Sequence, residues 1–178
     1  HPLTRWEQCV NCKQQFQGKV RLALMRALWA RHRGKEQRHE AAFFLSNTLI
    51  CNDLEDEACV LLEKCMEQSR TRYGADDERT LVFELELGKA LREKDPSRAT
   101  ALQRRVYNVR RRTMGADHEF TIMAGAELSQ TLLTNGDAVE AEPLLKAQLA
   151  YTVKKKGKDD HNSLFAANLL AISFAVQG

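Results

Sequence analysis

Proline and glycine are scarce in this chain, three and nine among 178 residues. Few positions therefore interrupt a helix, while abundant Ala, Leu, Glu, Arg and Lys favour one. No run approaches the roughly 18 apolar residues of a membrane span, so membrane contact is expected only through partners. Charge of one sign is also lacking. The formal net charge is +3, which argues against a chain-wide polyanion binder or an acidic tail. The five cysteines, at 9, 12, 51, 59 and 65, are odd in number and include one close pair. That is unlike the disulfide framework of a small secreted domain, and an intracellular, reducing compartment is expected, cytoplasm or organelle left open. The chain opens on His1 rather than Met, so residues are expected upstream, any targeting segment among them. No phosphate loop, nucleophile elbow or HExxH occurs, and no enzyme activity is expected.

What the chain does have is a phrase that returns. "GADDERT" at 74–80, "GADHEFT" at 115–121 and "GKDDHNS" at 157–163 each open with Gly, carry Asp two residues later and close with Thr or Ser. The glycines at 74, 115 and 157 are 41 and 42 residues apart, and a fixed period of that order marks a stacked repeat. With the phrases aligned, Leu45, Leu87, Leu128 and Leu170 become equivalent, each followed by a small residue: Ser46, Gly88, Ser129 and Ala171. The second half of each complete unit has its own small residue at Ala58, Ala99 and Ala141. Paired small residues let two antiparallel helices approach closely, which accounts for Gly88 in mid-helix, where glycine costs about 1 kcal/mol relative to alanine.

Each unit reads as helix, tight turn, longer helix. The turns "NDLED", "KDPS" and "NGD" carry the Asn, Asp, Gly and Pro of short connections. Gly74, Gly115 and Gly157 are expected in left-handed conformations that close the second helices. The polar residues after them should cap the next helix, His118 and His161 included. Pro143, about six residues past the expected cap Asp137, should kink its helix start. Helix pairs are thus expected from about 38, 80 and 121, with a lone helix from about 163 and no strands.

The pattern Gly-x-Asp-His-x-x-Thr, then Glu-Ala-Glu-x-Leu, visible in "GADHEFTIMAGAELSQ" and "EAEPLL", resembles the tetratricopeptide repeat family in its longer, kinesin-light-chain-like form. The resemblance covers about residues 36–178. It implies an all-α, right-handed α-solenoid of antiparallel helix pairs: three hairpins plus one terminal helix, whose partner would follow Gly178. Repeat one departs at Arg38, and repeat two keeps only "SRATAL" of the Glu-Ala-Glu phrase.

Residues 1–35 form a separate segment. Its helix, about Val20 to Arg33, places Leu24 and Leu28 on an apolar face that should cap the first repeat. Cys9 and Cys12 have the spacing of half a zinc site, with His1 and His32 as further donors, and four ligands are needed. "WEQCVNCKQQF" resembles the last ligand pair of a RING-CH zinc domain, which would make the chain the substrate-binding part of a ubiquitin ligase with its zinc head upstream. The other reading is a reduced pair packed beside the helix. No other cofactor is expected. Cys51, Cys59 and Cys65 read as core thiols.

The expected function is a non-enzymatic scaffold holding a partner peptide or helix on the concave solenoid face; the alternative is a structural subunit clamped into a large assembly. Counting from Thr80, Thr121 and Ser163 places Val82, Leu85, Lys89 and Arg92, and Met123, Ala126, Gln130 and Leu133, on the exposed face. Asn47 and Asn168 are taken as comparable in the outer repeats. The resemblance implies that Asn47, Lys89, Arg92, Gln130 and Asn168 contact the partner. "SRATALQRRVYNVRRRTMG" at 97–115 carries six arginines and no acid. Arg104, Arg105, Arg110, Arg111 and Arg112 are expected on a basic outer face, solvated rather than bound to nucleic acid.

Overall fold

The computed structural model describes residues 17–32 and 38–177, and among them there are eight helices and no strand. These are α1 (Gly18–Arg31), α2 (Arg38–Ile50), α3 (Glu55–Tyr73), α4 (Glu78–Leu91), α5 (Pro96–Met114), α6 (Glu119–Thr134), α7 (Ala138–Lys156) and α8 (His161–Gln177). The helix starts fall within two residues of those expected from the repeated phrase. The chain forms two compact units that meet in sequence at Ala90 and Leu91.

In the first unit α1 packs on α2, and α2 on α3. The buried residues of α1 are Leu22, Met25 and Leu28, one stripe of a helix. Leu24, expected on that stripe, is half-buried. Arg26 and Glu57 form an ion pair between α1 and α3.

The second unit is a run of consecutive antiparallel packings, α5 on α6, α6 on α7 and α7 on α8. Leu128, Leu132, Ala141 and Leu145 form its core, with Tyr107, Leu144, Leu169 and Leu170 packed against them. The small residues stand where close approach requires them: Ser46, Ser129, Ala58, Ala99 and Ala141 have no exposed surface, and Gly88 is buried.

The repeated phrase forms the same loop each time. Gly74, Gly115 and Gly157 have φ of 99°, 96° and 92°, with ψ near 163°. That is extended positive-φ backbone, more restrictive than the left-handed helical turn expected, and essentially only glycine adopts it. The residue three further on caps the next helix. Asp77 Oδ1 accepts from Arg79 N at 3.0 Å, His118 Nδ1 from Phe120 N at 3.2 Å, and Asp160 Oδ1 from Asn162 N at 2.9 Å. The closing hydroxyl then ties two of the three loops, Thr80 Oγ1 donating to Gly74 O at 2.8 Å and Ser163 Oγ to Gly157 O at 2.7 Å, while the buried Thr121 Oγ1 has no partner. His161 is instead the first residue of α8.

The turns inside the hairpins follow chain length. Leu54 N donates to Leu49 O, and Asp137 N to Leu132 O, closing α2 and α6 around Asp53 and Gly136 at positive φ. The middle turn is one residue shorter, closes with Asp95 N on Leu91 O, and starts α5 on Pro96 behind the cap Asp95. Pro143 lies within α7, which runs unbroken from Ala138 to Lys156. Pro143 and Val139 are exposed, so the Val139 carbonyl that loses its amide partner can turn to water.

Candidate functional site

The first helices of the repeats carry the candidate surface. α4 is buried nearly all round: Leu81, Phe83, Leu85, Leu87, Ala90 and Leu91 are each at most 7% exposed. What it leaves is one stripe, Arg79, Val82 and Lys89, which with the buried Glu86 between them are spaced three, four and three residues apart as one face of a helix requires. In register with it, α2 presents Glu40, Phe44 and Asn47, α6 presents Phe120, Met123, Glu127 and Gln130, and α8 presents Asn162, Phe165, Leu169 and Ile172.

Two expectations are corrected by this register. Leu85, counted onto the exposed face, is 6% exposed, because an inner helix of a stack is packed on more than one side. Asn168 is not in step with Asn47. It matches Ala126 and Phe43, and Ile172 takes the place of Asn47, Lys89 and Gln130.

In the first unit the stripe borders a groove of about 490 Å³ between α2 and α4. Phe43, Phe44, Val82 and Phe83 line it, with His39, Glu40 and Arg79 at its edge. The His39 ring lies 5.7 Å from Phe83 and 5.5 Å from Tyr73. Arg79 is placed twice over. Its guanidinium lies 3.5 Å above the Tyr73 ring and grips Asp77 through Nε at 2.8 Å and Nη2 at 2.9 Å. The hydrogen bond from Arg79 holds the Asp77 carboxyl below the ordinary aspartate value.

At the other end of the stripe Lys89 joins two repeats. Its Nζ donates to Glu86 Oε2 at 3.0 Å and to Asn47 Oδ1 at 3.4 Å, while Asn47 Nδ2 donates to Phe43 O. The predicted residues Asn47 and Lys89 therefore stand together. The aromatic groove beside them was missed, since it depends on how α2 lies against α4.

In the second unit Arg92 reaches α6 with three bonds: Nε to Thr131 Oγ1 at 3.1 Å, Nη1 to Gln130 Oε1 at 3.1 Å and Nη2 to Glu127 Oε2 at 2.7 Å. Arg92 and Gln130, both expected at the partner, hold each other, and the Arg92 side chain is 20% exposed. Asn168 is exposed on α8.

The five arginines of α5 expected on the outer face separate. Arg111 and Arg112 are exposed, Arg104 and Arg105 half-buried. Arg110 is only 3% exposed, which removes it from the outer face. It donates Nη1 to Phe120 O at 3.1 Å and stands where the other repeats bury Ser69 and Thr152. A guanidinium at this position braces the start of α6 from within. Cys65 is buried, Cys59 half-buried and Cys51 exposed, so Cys51 is not a core thiol. Cys9 and Cys12 lie outside the described residues.

No family model and no curated protein matches the sequence. Solved structures do. A crystal structure of a Podosopora anserina kinesin light chain protein with nearly identical TPR-like repeats superposes with a TM-score of 0.69 at 21% identity, over 89% of this chain and 77% of that one. The fold is that of a TPR-like repeat protein. BtubC (BKLC) from P. vanneervenii shares it, with a TM-score of 0.64 at 14% identity over 86% of this chain and 68% of its own. The TPR-like fold puts the chain in the all-α solenoid class. None of its helices, among the described residues, is long and apolar enough to cross a membrane.

Proposed function

We propose that this TPR-like chain is a non-enzymatic protein-interaction scaffold that holds an extended or helical partner segment on the exposed stripes of α2 and α4. The observation that carries the reading is the aromatic groove of the first unit. Phe43, Phe44 and Val82 offer an apolar seat, and Lys89 and Asn47 stand on the same stripes with polar atoms for a bound backbone or carboxylate. A groove formed in advance by packed helices costs little ordering on the protein side.

The test is a photo-crosslinking residue placed at Val82, with a second at Arg112 as an outer-face control, followed by mass spectrometry from native extract. Crosslinks of one protein segment at Val82 and not at Arg112 support the groove. Crosslinks confined to Arg112 would overturn it. With the crosslinking residue moved to Lys89 on the same stripe, Val82→Asp should abolish capture of the same segment.

A further inference from the structure

A second cleft lies in the other unit, on the opposite kind of helix. Between α5 and α7 there is a cavity of about 390 Å³ with an apolar floor, chiefly Tyr107 and Leu144, and a rim that includes Arg104, Asn108 and Arg111. Arg104, Tyr107, Asn108 and Arg111 stand at positions i, i+3, i+4 and i+7, so one face of α5 supplies them all.

The two arginines differ in one respect. Arg104 already holds a carboxylate: its Nη2 donates to Glu140 Oε1 and Oε2 at 2.8 and 2.7 Å, and its Nε to Oε1 at 3.1 Å. Arg111 is exposed and has no ion-pair partner among the described residues. Glu140 thus displays, within the chain, the group that this rim accepts. The pair is 43 and 50% exposed. Pairs so wetted are weak, and an incoming carboxylate can take the place of Glu140 without a large loss.

From this we infer that the α5–α7 cleft is a docking site for an acidic protein segment, which sets a carboxylate on Arg111 and an aliphatic side chain on the Tyr107–Leu144 floor. Charge complementarity names the occupant: α5 carries six arginines and no acid, and planar guanidinium groups match carboxylates two bonds at a time. The floor distinguishes a peptide from a simple polyanion, since it rewards an apolar side chain between acids. The site is separate from the first-helix groove, and Val82→Asp leaves it unchanged.

The experiment uses the full chain and a fluorescein-labelled peptide in which one leucine is flanked on both sides by glutamates, read by anisotropy at two salt concentrations. Arg111→Glu should weaken binding about tenfold or more, as reversing a contacting charge does, whereas Lys64→Glu, the same charge change in the first unit, should leave it within about twofold. Glu140→Gln, which frees Arg104, should tighten binding several-fold. Exchanging the peptide's leucine for serine should weaken it. Circular dichroism verifies that the exposed-site variants remain helical. Absence of peptide binding overturns the proposal, as does equal loss from Arg111→Glu and Lys64→Glu. Tighter binding of single-stranded DNA or of phosphatidylserine vesicles than of the peptide also overturns it, and assigns the arginines to phosphate.

Discussion

Gln103 is the residue most at odds with its surroundings. It has no exposed surface, and neither its amide nitrogen nor its amide oxygen has a hydrogen-bond partner. The repeat period aligns it with Leu62 and Leu145, both fully buried. An unpaired buried amide costs about 1 to 3 kcal/mol, and leucine has nearly the same volume. Gln103→Leu should therefore stabilise the protein by about 1 to 3 kcal/mol in urea unfolding; a loss of stability would show that the amide is satisfied in solution. Gly115 makes the opposite case. A Cβ there would meet nothing within 4 Å, yet φ is 96° and ψ 162°, so the penalty is purely one of backbone. Gly115→Ala should destabilise by about 1 to 3 kcal/mol, and an unchanged midpoint would mean that the loop has an alternative path.

At the scale of the element, the starts of α4, α6 and α8 each rest on one side-chain acceptor, Asp77, His118 and Asp160. The Asp160 carboxyl is held below its ordinary value by the backbone amide of Asn162, then by the Asn162 side chain, and Asp77 by Arg79. A carboxyl whose folded pKa is depressed contributes stability that is complete above its unfolded pKa and is lost as pH falls through the folded one. Both contributions should thus be intact at neutral pH and fade below the ordinary aspartate value of 3.8. Asp160→Asn keeps an oxygen acceptor without the titration, so its melting temperature should fall less steeply than that of the parent between about pH 4 and pH 2.5. Parallel curves would remove Asp160 from the acid response. These starts were legible in sequence because capping is local: the residue type and its distance from the glycine suffice. The same was true of the tight turns, even to the missing residue before Pro96. Leu85 and Arg110 were not legible, since helical periodicity assigns one buried stripe per helix and an inner helix of a stack buries more. Nor was the aromatic groove, which depends on where α2 lies against α4 and not on the spacing within either.

At the scale of the whole molecule, a repeat stack is held by nearest neighbours, so local stability should follow the number of neighbours a helix has. In the second unit α6 packs on both α5 and α7, and α7 on both α6 and α8, while α8 packs on α7. The buried residues of α8 are Ser163, Ala166 and Ser173, all small, and its large side chains Phe165, Ile172 and Phe174 are turned to the outside. Docking this last helix removes from water chiefly parts of Leu169 and Leu170, which stay half-buried against the core, whereas Leu128, Leu132 and Leu145 are at most 2% exposed between α6 and α7. Native-state amide exchange should show α8 opening at a free energy well below that of α6 and α7, which should exchange through the most global opening of this unit. Leu145→Ala, at the centre of the cluster, should cost about 2 to 5 kcal/mol and lower the protection of α6 and α7 together. If α8 exchanged as slowly as α6 in the parent protein, its outward phenylalanines would have to be covered, and concentration dependence of that protection would identify a second copy of the chain as the cover.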